Sequence, residues 1–224
     1  MRRAGIMPGM WMILCVAAVC LGSCRAVLGQ EAEQPPANPA TAIERTLAQR
    51  GQLTVREFHD AGRIDTSAGV SVRIESVTVS VPSPIPSGDK SPMLVFGVKF
   101  HTVPPDLSRP RPPSRSGFLD FDECRSAVVA LSAIGELAAA MAKESRDYTE
   151  VSYQSRGGVE FGFYQRHRAQ TAFIRVGMPP FDDSLSVEMA ALPVLRNALA
   201  AAEDDLIKKG AMPRIGASLP PPQS

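Results

Sequence analysis

The chain has 224 residues, 24 Lys and Arg against 23 Asp and Glu, a formal net charge of +1, and 44% apolar residues. That length and apolar content suffice for one large domain or two small ones around a substantial core. A balance so near neutrality supplies no global positive field to recruit nucleic acid or an anionic membrane surface.

Arg2 and Arg3 precede Met10–Leu21 (MWMILCVAAVCL), a run without charge, which gives residues 1–29 the basic start and apolar stretch of a secretory signal. The run is too short to span a bilayer, which takes about 20 apolar residues. An exported protein is expected: periplasmic, secreted, or membrane-anchored. Two processing routes stand side by side. Leu21-Gly22-Ser23-Cys24 has the form of a lipobox, in which Cys24 carries a lipid and begins the mature chain. Cleavage after Gly29, with Val27 and Gly29 as the small residues before the cut, instead leaves a soluble protein. The second route removes Arg2, Arg3 and Arg25, so that 21 basic residues face 23 acidic ones, a net charge of −2. Three of the four cysteines lie in the signal and only Cys124 lies in the body, so the fold is expected to need no disulfide.

Residues 30–42 are rich in Pro, Ala and Glu and read as an extended tether; residues 212–224, with four prolines, read as a disordered tail. Between them a single α+β domain is expected over 43–211, with halves at 43–144 and 147–211. Three β-type segments open it: Gln52–Phe58, Val70–Val81 and Met93–Thr102, separated by Gly, Asp, Ser and Pro. In the middle one the apolar positions run Val70, Val72, Ile74 and then Val77, Val79, Val81. That change of phase predicts a β-bulge or a bend onto a second sheet. In the third, Leu94, Phe96, Val98 and Phe100 share one face and Lys99 and His101 the other. Val103–Ser116, with five prolines and three arginines, reads as a rigid solvated excursion, since each proline removes a ladder donor.

A helix follows, with Asp120 as N-cap, Glu123 completing a capping box, and Cys124, Val128, Leu131, Ile134, Ala138 and Met141 on one stripe. Ala127, Ala130, Ala133, Ala139 and Ala140 predict close packing on a second side, a central helix. A meander is expected next over Asp147–Gln154, Val159–Gln165 and Thr171–Val176, with Gly157-Gly158 supplying positive φ angles at its first turn. The last element, Ser186–Lys209, is an amphipathic helix carrying Leu192, Leu195, Leu199, Ala202 and Leu206; Pro193 in its first turn moves its start toward Ala191. Strands, helix, strands, helix is a duplicated βββα order, antiparallel sheet or sheets on two helices. By element order alone it resembles single-strand-binding whirly-type folds, a likeness that carries no function.

No catalytic motif stands out. His59, His101 and His167 lie in three separate segments without metal-ligand spacing, and no G-x-S-x-G or S-x-x-K is present. Asp120, Asp122 and Glu123 suit an acid pair but also suit the first turn of the helix they begin. Cys124 reads as a buried small hydrophobe. No metal or cofactor is expected. The one chemical constellation is in the meander, where Tyr153, Arg156, Tyr164, Arg166, His167 and Arg168 gather aromatic and cationic groups. Such a surface suits an anionic ligand or protein partner at the cell envelope. The expectation is therefore an exported, non-catalytic binding protein, with an envelope hydrolase of scattered site residues, or a single-stranded nucleic-acid binder using residues 147–176, as alternatives.

Overall fold

The structure, a computed structural model, describes residues 39–82, 91–104, 114–177 and 184–212. The secretory segment with Cys24, most of the tether and tail, and the middles of both proline-rich loops lie outside the described residues. The elements run α1 Ala42–Ala48, β1 Val55–Asp65, β2 Ser71–Val81, β3 Met93–Val103, β4 Ser116–Asp120, α2 Phe121–Met141, β5 Arg146–Gln154, β6 Val159–His167, β7 Ala169–Val176, β8 Leu185–Val187 and α3 Ala191–Lys208. The α+β class holds: two four-stranded antiparallel sheets, β1-β2-β3-β4 and β5-β6-β7-β8, each lead into a long helix. The repeat is ββββα rather than βββα. The fourth strand of each half escapes sequence reading because it is short, five residues in β4 and three in β8.

Both halves contribute to one core. Ile74, Val98, Phe100 and Leu119 of the first sheet meet Phe161, Phe163 and Ile174 of the second, with Leu131 and Ile134 of α2 and Leu195, Leu199 and Leu206 of α3. The sheets touch where the Phe118 N–H of β4 donates to the Gly157 carbonyl at 3.1 Å. The two glycines of that turn do different work. Gly158 takes the positive φ of 74° that the hairpin requires. Gly157 allows the close approach, since a Cβ there would lie 2.1 Å from the Phe118 oxygen.

The phase change in β2 has a cause other than a bulge. Its register with β3 runs without a shift from Ser71 to Val81, so Val72 and Ile74 face the shared core while Val77 and Val79 face the opposite side. There α1 lays Ile43 and Leu47 over them, beside Phe118 and Val95. A strand covered on one face and then on the other reads in sequence as a broken alternation. The bulge lies in β1 instead, between Asp60 and Gly62.

The segment 39–42 belongs to the body and not to the tether. Thr41 is fully buried, its hydroxyl accepts the Glu44 N–H, and the Glu44 carboxylate accepts the Thr41 N–H, a capping box at the start of α1. Helix α2 begins with the capping box expected of Asp120 and Glu123. Its small residues do not line a second packed side: Ala133, Ala139 and Ala140 are exposed, as are Val129 and Leu137. By length and composition it is the one described helix apolar enough to cross a membrane, yet Cys124, Ala127, Leu131, Ile134 and Ala138 are buried in the core of the body. Helix α3 starts at Ala191 with Pro193 in its first turn, where a missing N–H costs nothing.

Candidate partner-binding face

The second sheet divides the six residues Tyr153, Arg156, Tyr164, Arg166, His167 and Arg168 into two groups at opposite ends of β6, a nine-residue strand spanning roughly 25–30 Å. Tyr153 and Arg156 sit at the end nearest the first sheet. The Tyr153 ring stacks on Phe161 at 5.2 Å and its hydroxyl lies 3.1 Å from Ser126 Oγ. Burial raises its pKa, against the pull of that hydrogen bond. It is half-buried and packs against the core.

Arg156 closes a cluster of carboxylates. Its guanidinium reaches Asp120 at 3.5 Å and Glu123 at 3.3 Å and also pairs with Asp122, while its backbone N–H donates to Glu123 Oε1 at 2.9 Å. The Asp120 carboxylate in turn accepts the N–H groups of Ala42 at 2.8 Å and Ile43 at 3.3 Å. A single buried carboxylate at the N-cap of α2 therefore serves two of the free donors of α1. Burial raises the Asp120 pKa, opposed by the two backbone donors and by Arg156. Ligand atoms of Asp120, Asp122 and Glu123 lie within 4.8 Å of one another, close enough to hold a cation. Arg156 supplies that positive charge covalently. The cluster is a clamp joining α1, α2 and the β5–β6 turn, in which three carboxylates engage an Arg156 whose side chain is still 47% exposed.

Tyr164, Arg166, His167 and Arg168 come together at the far end. Phe161, Phe163 and Gln165 of β6 point into the body, so Tyr164 and Arg166 alternate onto the outer face. Tyr148, which sequence reading passed over, joins them. The register shift between Arg146 and Thr149 of β5 sets Asp147 and Tyr148 opposite Arg166. The Tyr148 and Tyr164 rings stack at 6.3 Å, and Tyr164 and Phe173 at 6.4 Å, an aromatic row across three strands that ends under the Arg175 guanidinium, 4.5 Å from the Phe173 centroid. Arg175 is neutralised by Glu160 at 2.8 Å and Glu150 at 3.4 Å. Arg166 and Arg168 are exposed and form no ion pair among the described residues. The signal for Tyr148 was available: Val151 and Tyr153 share the inward face of β5, so Tyr148 falls on the other.

The turn is held in place from beneath. His167 adopts a left-handed φ of 56°. The buried Gln165 donates from Nε2 to the carbonyls of Met141, Glu144 and His167 and accepts from Gln170 Nε2, which also donates to Ala138 O. These amides add second donors to the Ala138 and Met141 carbonyls, which also accept the Ala142 and Glu144 N–H groups, and so seat the hairpin on the end of α2. Sequence reading missed both glutamines, because only contact between distant segments gives them a task.

The histidines do not converge. His59 pairs in register with Ser76 and His101 with Arg73, three residues further along β2 and thus on the opposite face of the first sheet. His101 Nδ1 lies 3.5 Å from Glu75. Cys124 is fully buried, and burial drives its thiol far above the ordinary range, so no thiolate forms at neutral pH. Compared with protein-family models, curated proteins and solved structures, the chain matches none of them.

Proposed function

We propose that this is an exported, non-catalytic binding protein of the cell envelope that holds an anionic protein partner or ligand on the outer face of its second sheet. The observation that carries the reading is the stack of Tyr148 on Tyr164 beside two exposed arginines, Arg166 and Arg168, that no carboxylate neutralises among the described residues. Arginine and tyrosine give binding energy out of proportion to their number, since each brings large area and a polar handle at modest entropic cost. The hairpin's anchorage through Gln165 and Gln170 favours the same reading, because a preorganised face spends less on ordering when it binds.

Replacing Arg166 and Arg168 by Ala tests it. Folding should be unchanged within about 0.5 kcal/mol, as for exposed charges elsewhere. Capture of anionic partners from an envelope extract should fall by about 1 kcal/mol or more for each arginine that anchors the partner. A parallel arm with a single-stranded oligonucleotide separates the nucleic-acid alternative, which requires affinity falling steeply with salt. Partners that bind parent and double variant equally at low and high salt would place the site elsewhere.

A further inference from the structure

Strand β1 is the outer edge of the first sheet, and among the described residues no strand pairs with its free side. Its first six residues, Val55 to Asp60, are all exposed, with Phe58 at 49%. They contain neither proline nor lysine, two of the usual guards of an open edge, and carry charges of both signs in Arg56, Glu57 and Asp60. Such an edge is a template for another strand, and its own sequence indicates which.

We infer that β1 pairs antiparallel with β1 of a second copy of this chain, across a two-fold axis at Phe58, to join two four-stranded sheets into one of eight. A two-fold axis perpendicular to the sheet keeps like faces together, so the register must centre on a residue. Centred on Phe58, Arg56 faces Asp60 of the second copy, Glu57 faces His59, and the two Phe58 rings face each other. The Arg56–Asp60 pair occurs twice and is complementary, as direct cross-strand neighbours should be, and Arg56 there joins Arg73 of the same sheet, which already pairs with Asp60 at 2.9 Å. Each neighbouring register fails: centring on Arg56, Glu57, His59 or Asp60 sets that residue against itself. The bulge between Asp60 and Gly62 ends the regular ladder just past the last charge pair, which limits the contact to this short run. The opposite edge of the sheet, β4, already abuts Gly157, so pairing through β1 closes as a dimer instead of propagating.

Sedimentation velocity of the full chain over a concentration series tests this. The parent should pass from monomer to dimer. Arg56→Asp, which opposes two acids twice, should raise the dissociation constant about tenfold or more, and adding Asp60→Arg to that variant should restore dimerisation by exchanging the charges. Circular dichroism confirms that each variant is folded. Independently of the charges, Phe58→Cys should give a peptide linked from position 58 to position 58 under mild oxidation, since facing residues lie within disulfide reach. A parent that stays monomeric at every concentration overturns the inference. So does a dimer indifferent to Arg56→Asp, failure of the charge exchange to restore dimerisation, absence of the linked peptide, or β1 occupied by a different protein while the parent alone is monomeric.

Discussion

Asp120 illustrates how much one residue can carry beyond the role its sequence context assigns. The pattern Asp120-x-x-Glu123 announces a helix start, and the capping box is present. What the pattern cannot show is that the same carboxylate accepts the Ala42 and Ile43 N–H groups from 78 and 77 residues away and meets Arg156. Asp120→Ala should therefore do more than fray α2. It leaves one buried and one half-buried donor of α1 unpaired and removes a partner of Arg156, at about 1–3 kcal/mol for the orphaned donors. Because α1 is a short helix held by Ile43 and Leu47 against the sheet, its release should come before global unfolding. Hydrogen exchange over Ala42–Ala48 should accelerate while the core strands stay protected, and trypsin should cut sooner at Arg45 and Arg50. Unchanged exchange over α1 would mean that apolar contacts alone hold it. The Gln165–Gln170 pair gives the same lesson: a glutamine reads as surface in sequence, and only the end of a distant helix makes it a buried anchor.

Among the elements, those with a strong single period were legible and those defined by contact were not. Helix α2 follows from its capping box and from apolar residues at helical spacing, and the long strands follow from alternation. Helix α1 carried the Thr41-x-x-Glu44 signature of a helix start but is only seven residues long, too short to show a period. The alanines of α2 misled, because small side chains permit close packing without requiring it: Ala127 and Ala138 are buried, while Ala133, Ala139 and Ala140 face outward. The two faces of α2 should accordingly respond differently to substitution. Leu131→Ala empties a packed site on the core side and should destabilise by about 2–5 kcal/mol. Ala139→Leu adds bulk on an exposed side and should change stability by no more than about 0.5 kcal/mol. Chemical denaturation of both variants checks this; a comparable loss in each would mean that something packs on the outer side of α2.

For the whole molecule, the α+β class and the internal repetition were readable because element order survives even when short strands are missed. The shared core was not readable, since neither half declares in its own sequence that its apolar face is completed by the other. The proposed binding face was readable in part. Tyr164, Arg166, His167 and Arg168 stand together, but Tyr153 packs against the core and Arg156 is engaged by three carboxylates, because the same residue types serve ion-pair clamps and ligand sites alike. The proposed export rests on residues 1–29. A basic start followed by a charge-free run of twelve residues, Met10–Leu21, suits the export machinery and is too short to stay as a span. The two processing routes differ in mass and in hydrophobicity, so intact-mass measurement on the native protein separates them. A chain beginning at an acylated Cys24 makes it an anchored lipoprotein, and the anionic partner must then be sought at the membrane surface. A chain beginning near Gln30 makes it soluble, with a net charge of −2. Its two exposed arginines at the hairpin would then stand out against an overall negative molecule, so that the partner is drawn to one place and not to the whole surface. A soluble cytoplasmic product that keeps Met1 would overturn export altogether.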